Sequence, residues 1–92
     1  MINCELLIIN YMVTKKQVED AWERAIKPRG KNPDVWRRDE KRNLIKKGSY
    51  GKTGQYGWEI DHKNPQSKGG TNHGKNLQAL QWEANRKKGN KY

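Results

Sequence analysis

The segment Trp58–Gly89 leaves the backbone few choices. Trp58-Glu59-Ile60-Asp61-His62 alternates apolar and polar residues, which is the period of a half-buried strand. Residues 63–76 then carry Pro65, Ser67, Gly69, Gly70, Asn72 and Gly74, a density of breakers that predicts an irregular loop. Leu77-Gln78-Ala79-Leu80 can return as the second strand of the pair, and 81–88 reads as a helix with Gly89 as its stop. Strand, long loop, strand and helix make one ββα unit.

Upstream, Thr14 and Gln17 have the spacing of a capping box. Val18, Ala21, Trp22, Ala25 and Ile26 follow as one apolar stripe, so a helix is predicted over 15–27, ended by Pro28 and Gly30. Glu23 and Lys27 stand in the favourable i, i+4 order. Residues 28–42 are basic and turn-rich around Trp36; 43–47 can form a short strand at Leu44 and Ile45; 48–57 is a Gly-, Tyr- and Ser-rich loop. The reading divides the chain into 1–13, a leader or extra strand, 14–57, a helix and basic loop region, and 58–92, the ββα unit. The fold class is α+β, a small single domain with an N-terminal helix packed on the ββα core.

With 92 residues, 32% hydrophobic and 33% charged, the core must be thin. Four Trp and four Tyr offset this, and Trp22, Trp36, Trp58 and Trp82 are the expected anchors. The net charge of +10 favours a polyanionic partner. A membrane surface would call for an amphipathic helix with a basic face, whereas here the basic residues are spread along the chain, so nucleic acid is the expected partner and a membrane is not. Cys4 is the only cysteine, so neither an internal disulfide nor a thiolate zinc cage can form. The apolar run Leu6-Leu7-Ile8-Ile9 is too short to span a bilayer and lacks a basic flank and a cleavage site, which makes a cytoplasmic protein the expectation. Met12 is a second candidate start, and residues 1–11 are either an extra apolar strand or a dispensable leader.

Cutting a phosphodiester requires a base for the attacking water on one side of phosphorus and charge stabilisation at the departing 3′ oxygen on the other. An imidazole suits the first task, and a divalent cation held by oxygen ligands the second. Asp61 and His62 are consecutive at a strand end, so their side chains diverge: one can hold a metal while the other faces the water. Asn85, on the following helix, can bring an amide oxygen to the same metal, with Trp82 one turn before it fixing that face. Two protein ligands leave room for waters and phosphate oxygens, the usual way of holding Mg²⁺.

Several matched positions occur together: Asp61-His62, Pro65-x-Ser67-x-Gly69-Gly70-Thr71, Asn76-Leu77-x-x-Leu80 and Asn85-Arg86-x-Lys88-Gly89. On these residues the segment Trp58–Gly89 resembles the HNH endonucleases (His-Me finger, ββα-metal nucleases), and Tyr56-Gly57-Trp58 is similar to the lead-in of some small bacterial and phage members. The resemblance implies that His62 is the general base and Asp61 the metal-binding acid. It implies that Asn76 pins the loop and orients the histidine, and that Asn85 is the second metal ligand. Many relatives have His at the position of Asn85; the Asn form is the H-N-N variant found in CRISPR effector nucleases. Cysteines that hold a structural zinc in many relatives are replaced by Gln81 and Ala84, so no structural zinc is expected.

The combined expectation is an HNH endonuclease that hydrolyses DNA, most simply double-stranded, with Mg²⁺ (Mn²⁺ or Ni²⁺ as substitutes). Lys63, Arg37, Arg38, Arg86, Lys87 and Lys88 are the candidate phosphate contacts. Glu59 reads either as support for the metal shell or as an ion-pair partner of a lysine, and His73 as a surface residue of the loop. The alternative is a non-catalytic basic nucleic-acid-binding protein on the same fold.

Overall fold

The computed structural model describes residues 13–64 and 73–89, so the expectations for 1–11 and for the centre of the loop lie outside the described residues. Helix α1 spans Lys15–Arg24. The capping box forms as expected: Thr14 Oγ1 accepts from the Gln17 N–H at 3.1 Å, and Gln17 Oε1 accepts from the Thr14 N–H at 2.8 Å. Ala21 and Trp22 are its buried face.

The helix stops three residues before the predicted end, and Arg37 is part of the reason. Its Nη1 donates to the carbonyls of Trp22 at 2.9 Å and Glu23 at 2.9 Å, and more loosely to Ala25 at 3.4 Å. Its Nε donates to Pro33 O at 2.7 Å. The Trp22 carbonyl also accepts from the Ala25 N–H at 3.0 Å, so Arg37 adds a second donor there and supplies one to Glu23 at a helix end, where a cation also complements the helix dipole. Ala25 is extended, and Ile26 pairs with Arg38 through main-chain bonds of 3.0 and 2.8 Å. Ile26 is consequently 49% exposed rather than part of the stripe. Glu23 faces Arg37 at 3.6 Å in place of the predicted partner Lys27. The expectation that Arg37 contacts nucleic acid is corrected: the residue is 2% exposed and its donors are engaged by main-chain oxygens.

Strands β1 (Trp36–Arg38) and β2 (Leu44–Lys46) pair antiparallel, with Arg37 opposite Ile45. β1 had no sequence signature, since Trp36-Arg37-Arg38 shows no alternation. Asp39 fastens the turn between them. Its Oδ1 accepts from the N–H groups of Lys41 (2.9 Å) and Asn43 (2.8 Å). Its Oδ2 accepts from Asn43 Nδ2 (3.1 Å) and from the N–H of Gln81 (2.9 Å). One buried carboxylate thus ties the first hairpin to the second.

Strands β3 (Trp58–His62) and β4 (Leu77–Gln81) form the second antiparallel pair, in a register that sets Asp61 opposite Gln78 and His62 opposite Leu77. All five β3 residues are buried, where a half-buried strand was expected. α1 packs on this pair, and helix α2 (Trp82–Gly89) also lies against β3 and β4. Trp22 and Trp58 meet with ring centroids 5.4 Å apart, Tyr50 closes on Trp58 at 4.9 Å, and the Trp58 indole N–H donates to Lys46 O at 2.9 Å. Trp36 and Trp82 are only half-buried, so two of the four expected anchors form the core. Gly57 is required where it stands, because a Cβ there would lie 1.8 Å from Lys52 O. The start of α2 is closed by Gln81, whose Oε1 accepts from the Ala84 N–H at 3.0 Å.

Candidate active site

Side chains alternate along β3, so Glu59 and Asp61 share the face toward α2 while Ile60 and His62 share the other. On α2, Asn85 and Lys88 are one turn apart and address that first face. Asn85 Nδ2 donates to Glu59 Oε1 at 3.1 Å, and Arg86 Nη2 approaches Glu59 Oε2 at 3.1 Å. Lys88 Nζ lies 2.7 Å from Asp61 Oδ2 and 3.0 Å from His62 O. Gln78 Nε2 donates to Asp61 Oδ2 at 2.9 Å and also to Glu40 at 3.0 Å. Asp61, His62 and Asn85 are all fully buried.

Burial pushes the Asp61 carboxyl above the usual carboxylate range, aided by the charge of Glu40; the hydrogen bonds from Lys88 and Gln78 pull it back. Asn85 differs from its neighbours in one respect. Its Nδ2 has Glu59, but its Oδ1 is buried with no hydrogen-bond partner among the described residues. A buried carbonyl oxygen without a donor costs about 1–3 kcal/mol, and a bound cation is one way to recover it. Asp61 carboxylate and Asn85 amide oxygen are hard donors, which fits a cation of the Mg²⁺ type. Among the described residues no group of three or more His, Cys, Asp or Glu side chains is arranged to hold a metal ion.

Just past the His62 end of β3, Asn76 closes the mouth of the loop. Its Nδ2 donates to Asn64 O at 3.1 Å, its Oδ1 accepts from the Asn64 N–H at 2.9 Å, and its carbonyl accepts from the Lys63 N–H at 2.8 Å. The residue sits in a single 3₁₀ turn, Gly74–Asn76, whose cap is the exposed His73; His73 Nδ1 accepts from the Lys75 N–H at 3.2 Å. Arg24 reaches this turn from α1, its Nη2 bonding Leu77 O at 2.9 Å and Gly74 O at 2.6 Å.

A family model described as HNH endonuclease matches residues 38–91, more than half of the chain. The chain belongs to the HNH endonuclease family. Neither curated proteins nor solved structures yielded a match. HNH domains act on nucleic acid and HNH nucleases generally use a divalent metal, so the chain is a nuclease-type domain with a nucleic-acid partner. The match begins at Arg38, the last residue of β1, so it takes in β2 as well as the ββα unit on which the sequence resemblance rested.

Within this HNH domain the structure sorts the predicted site residues. Asp61 and Asn85 line one strand–helix interface; His62 is beside Asp61 in sequence and on the opposite strand face; Asn76 holds the two ends of the loop together. Of the basic candidates, Lys63 and Lys87 are exposed, while Arg38 donates to Arg42 O at 3.0 Å. Arg86 is held between Glu59 and the Trp82 ring, and Lys88 is bound to Asp61, so neither presents a free cation. Glu59 takes the ion-pair reading, with an arginine rather than a lysine. Asp39, Gln78 and Arg24 escaped the sequence reading because each works on a partner distant in the chain. Among the described residues no helix is long and apolar enough to cross a membrane.

Proposed function

We propose that this HNH domain hydrolyses DNA phosphodiester bonds with a divalent cation, Mg²⁺ by the chemistry of its donors, and acts on double-stranded DNA inside the cell. Asp61 and Asn85 would hold the cation through carboxylate and amide oxygens. When bound, it supplies stabilisation of the charge that develops on the departing 3′ oxygen. His62 takes the proton of the attacking water, and Asn76 keeps the chain that follows His62 in place through Asn64 and Lys63. Lys88 fills the cation position at Asp61 in its absence and must leave that carboxylate for a metal to enter. The carrying observation is the buried Asn85 Oδ1, without a donor among the described residues, on the interface that also holds the Asp61 carboxylate.

Two observations favour a second reading, a basic DNA-binding protein without catalysis: the His62 side chain is 0% exposed, and the Asp61 carboxylate already has a cation. Plasmid nicking separates the two. Under the nuclease reading the wild type nicks with Mg²⁺ or Mn²⁺ and stops in EDTA, and His62→Ala lowers the rate by roughly 10²–10⁴ with the fold kept. DNA binding without cutting in Mg²⁺, Mn²⁺ and Ni²⁺ establishes the binding reading instead.

A further inference from the structure

A groove of about 690 Å³ lies between α2 and the chain around and after β2, on the side of α2 that carries Lys87. Lys87 and Lys88 line one wall and Lys41 the other, with Gln55 and Tyr56 completing it and Glu83 as the one carboxylate. The Tyr56 ring is fixed edge-on against Trp36 at 4.9 Å. Lys41 and Lys87 are exposed, and neither ammonium has an ion pair among the described residues. Nothing in the packing of the described residues uses these two charges. Their placement on facing walls gives a polyanionic chain a grip from both sides.

The groove also has a direction. Lys88, which lines it, carries the ammonium that lies 2.7 Å from Asp61 Oδ2, so one end of the groove adjoins the acid assigned to the metal. An acidic peptide would gain nothing from that junction, whereas a nucleic-acid strand whose scissile phosphate is at Asp61 must leave the site along some surface. This one is open and cationic, and Asn43, Gln55 and Gln81, beside the apolar Leu44 and Ala84, give it polar groups suited to a sugar-phosphate backbone. We infer that the groove is the track of the cut strand on one side of the cleaved bond, with Lys41 and Lys87 on its phosphates. The inference rests on the nuclease reading above and adds a path and two phosphate-binding residues to it.

Anisotropy with a labelled duplex, in EDTA and over a salt series, tests this. Lys41→Gln with Lys87→Gln should weaken binding roughly tenfold at low salt and lower the slope of log K against log [salt] by about two, one for each phosphate that no longer faces an ammonium. The matched control is Lys15→Gln with Lys47→Gln, which removes two exposed lysines from a different, apolar cavity beside Val18 and Tyr50. Arginine at positions 41 and 87 should restore both affinity and slope. A groove variant no weaker than the control, or one with an unchanged slope, overturns the inference. Because binding is read without metal or cutting, failure of the groove appears here, and failure of the nuclease reading appears in the nicking assay.

Discussion

Arg37→Met is the sharpest test of how this domain holds together. Methionine keeps much of the side-chain volume but removes every donor. Three main-chain oxygens then lose good bonds: Pro33 at 2.7 Å, and Trp22 and Glu23 at 2.9 Å each. The Ala25 interaction at 3.4 Å is too long to weigh heavily, and the ion pair with the exposed Glu23 at 3.6 Å adds almost nothing. The Trp22 carbonyl keeps the Ala25 N–H at 3.0 Å and the Pro33 and Glu23 carbonyls are partly rehydrated, so each lost bond costs about 1 kcal/mol. The sum is roughly 3 kcal/mol, a large part of the ~5–15 kcal/mol that such domains have. It corresponds to a fall in Tm of about 12–24 °C at this chain length. Urea unfolding followed by tryptophan fluorescence reads it directly, since the guanidinium also lies 5.4 Å from the Trp22 ring. With an m-value of about 1–3 kcal/mol/M the midpoint should move by at least ~1 M. A variant that keeps the wild-type midpoint and loses DNA affinity would refute this reasoning and return Arg37 to the DNA-binding surface.

Lys88→Met should bind Mn²⁺ more tightly than wild type by calorimetry while its metal-free Tm falls, because the Asp61 carboxylate loses its resident cation; equal or weaker Mn²⁺ binding would remove Lys88 as the competitor. Gly57→Ala should destabilise by about 3 kcal/mol or more, since the new methyl would stand 1.8 Å from Lys52 O and backbone must move to admit it; a Tm within a few degrees of wild type would contradict that geometry. Burial, with a smaller contribution from Glu59, raises the Tyr50 phenol above its ordinary value of 10.0. The folded chain therefore retains this proton where the unfolded chain releases it, so the associated stability is full below pH 10.0 and is lost as pH rises through the folded value. Absorbance at the phenolate band should show one late-titrating tyrosine that Tyr50→Phe removes, and a Tyr50→Phe spectrum with the late component intact would reassign it.

What was legible in the sequence was local. The Thr14–Gln17 cap, the two strands on either side of the Pro- and Gly-rich loop, and the helix ending at Gly89 all appear where residue spacing placed them. Each depends on torsional preference and on periodicity within a few residues, and the grouping of Asp61-His62, Asn76 and Asn85 is likewise readable as a pattern along the chain. Other features needed the tertiary structure. Arg37 read as one more surface arginine, yet it meets the carbonyl of Trp22, 15 residues away. Glu59 and Asp61 looked like the outer face of a strand until α2 covered them, leaving one carboxylate with Arg86 and the other with Lys88. Asp39 joins Gln81 across 42 residues. Backbone shape follows from near neighbours in sequence. The partner of a charge, by contrast, is set by which distant segments burial brings beside it, because a desolvated ion must find an opposite charge or a hydrogen bond wherever the packing provides one.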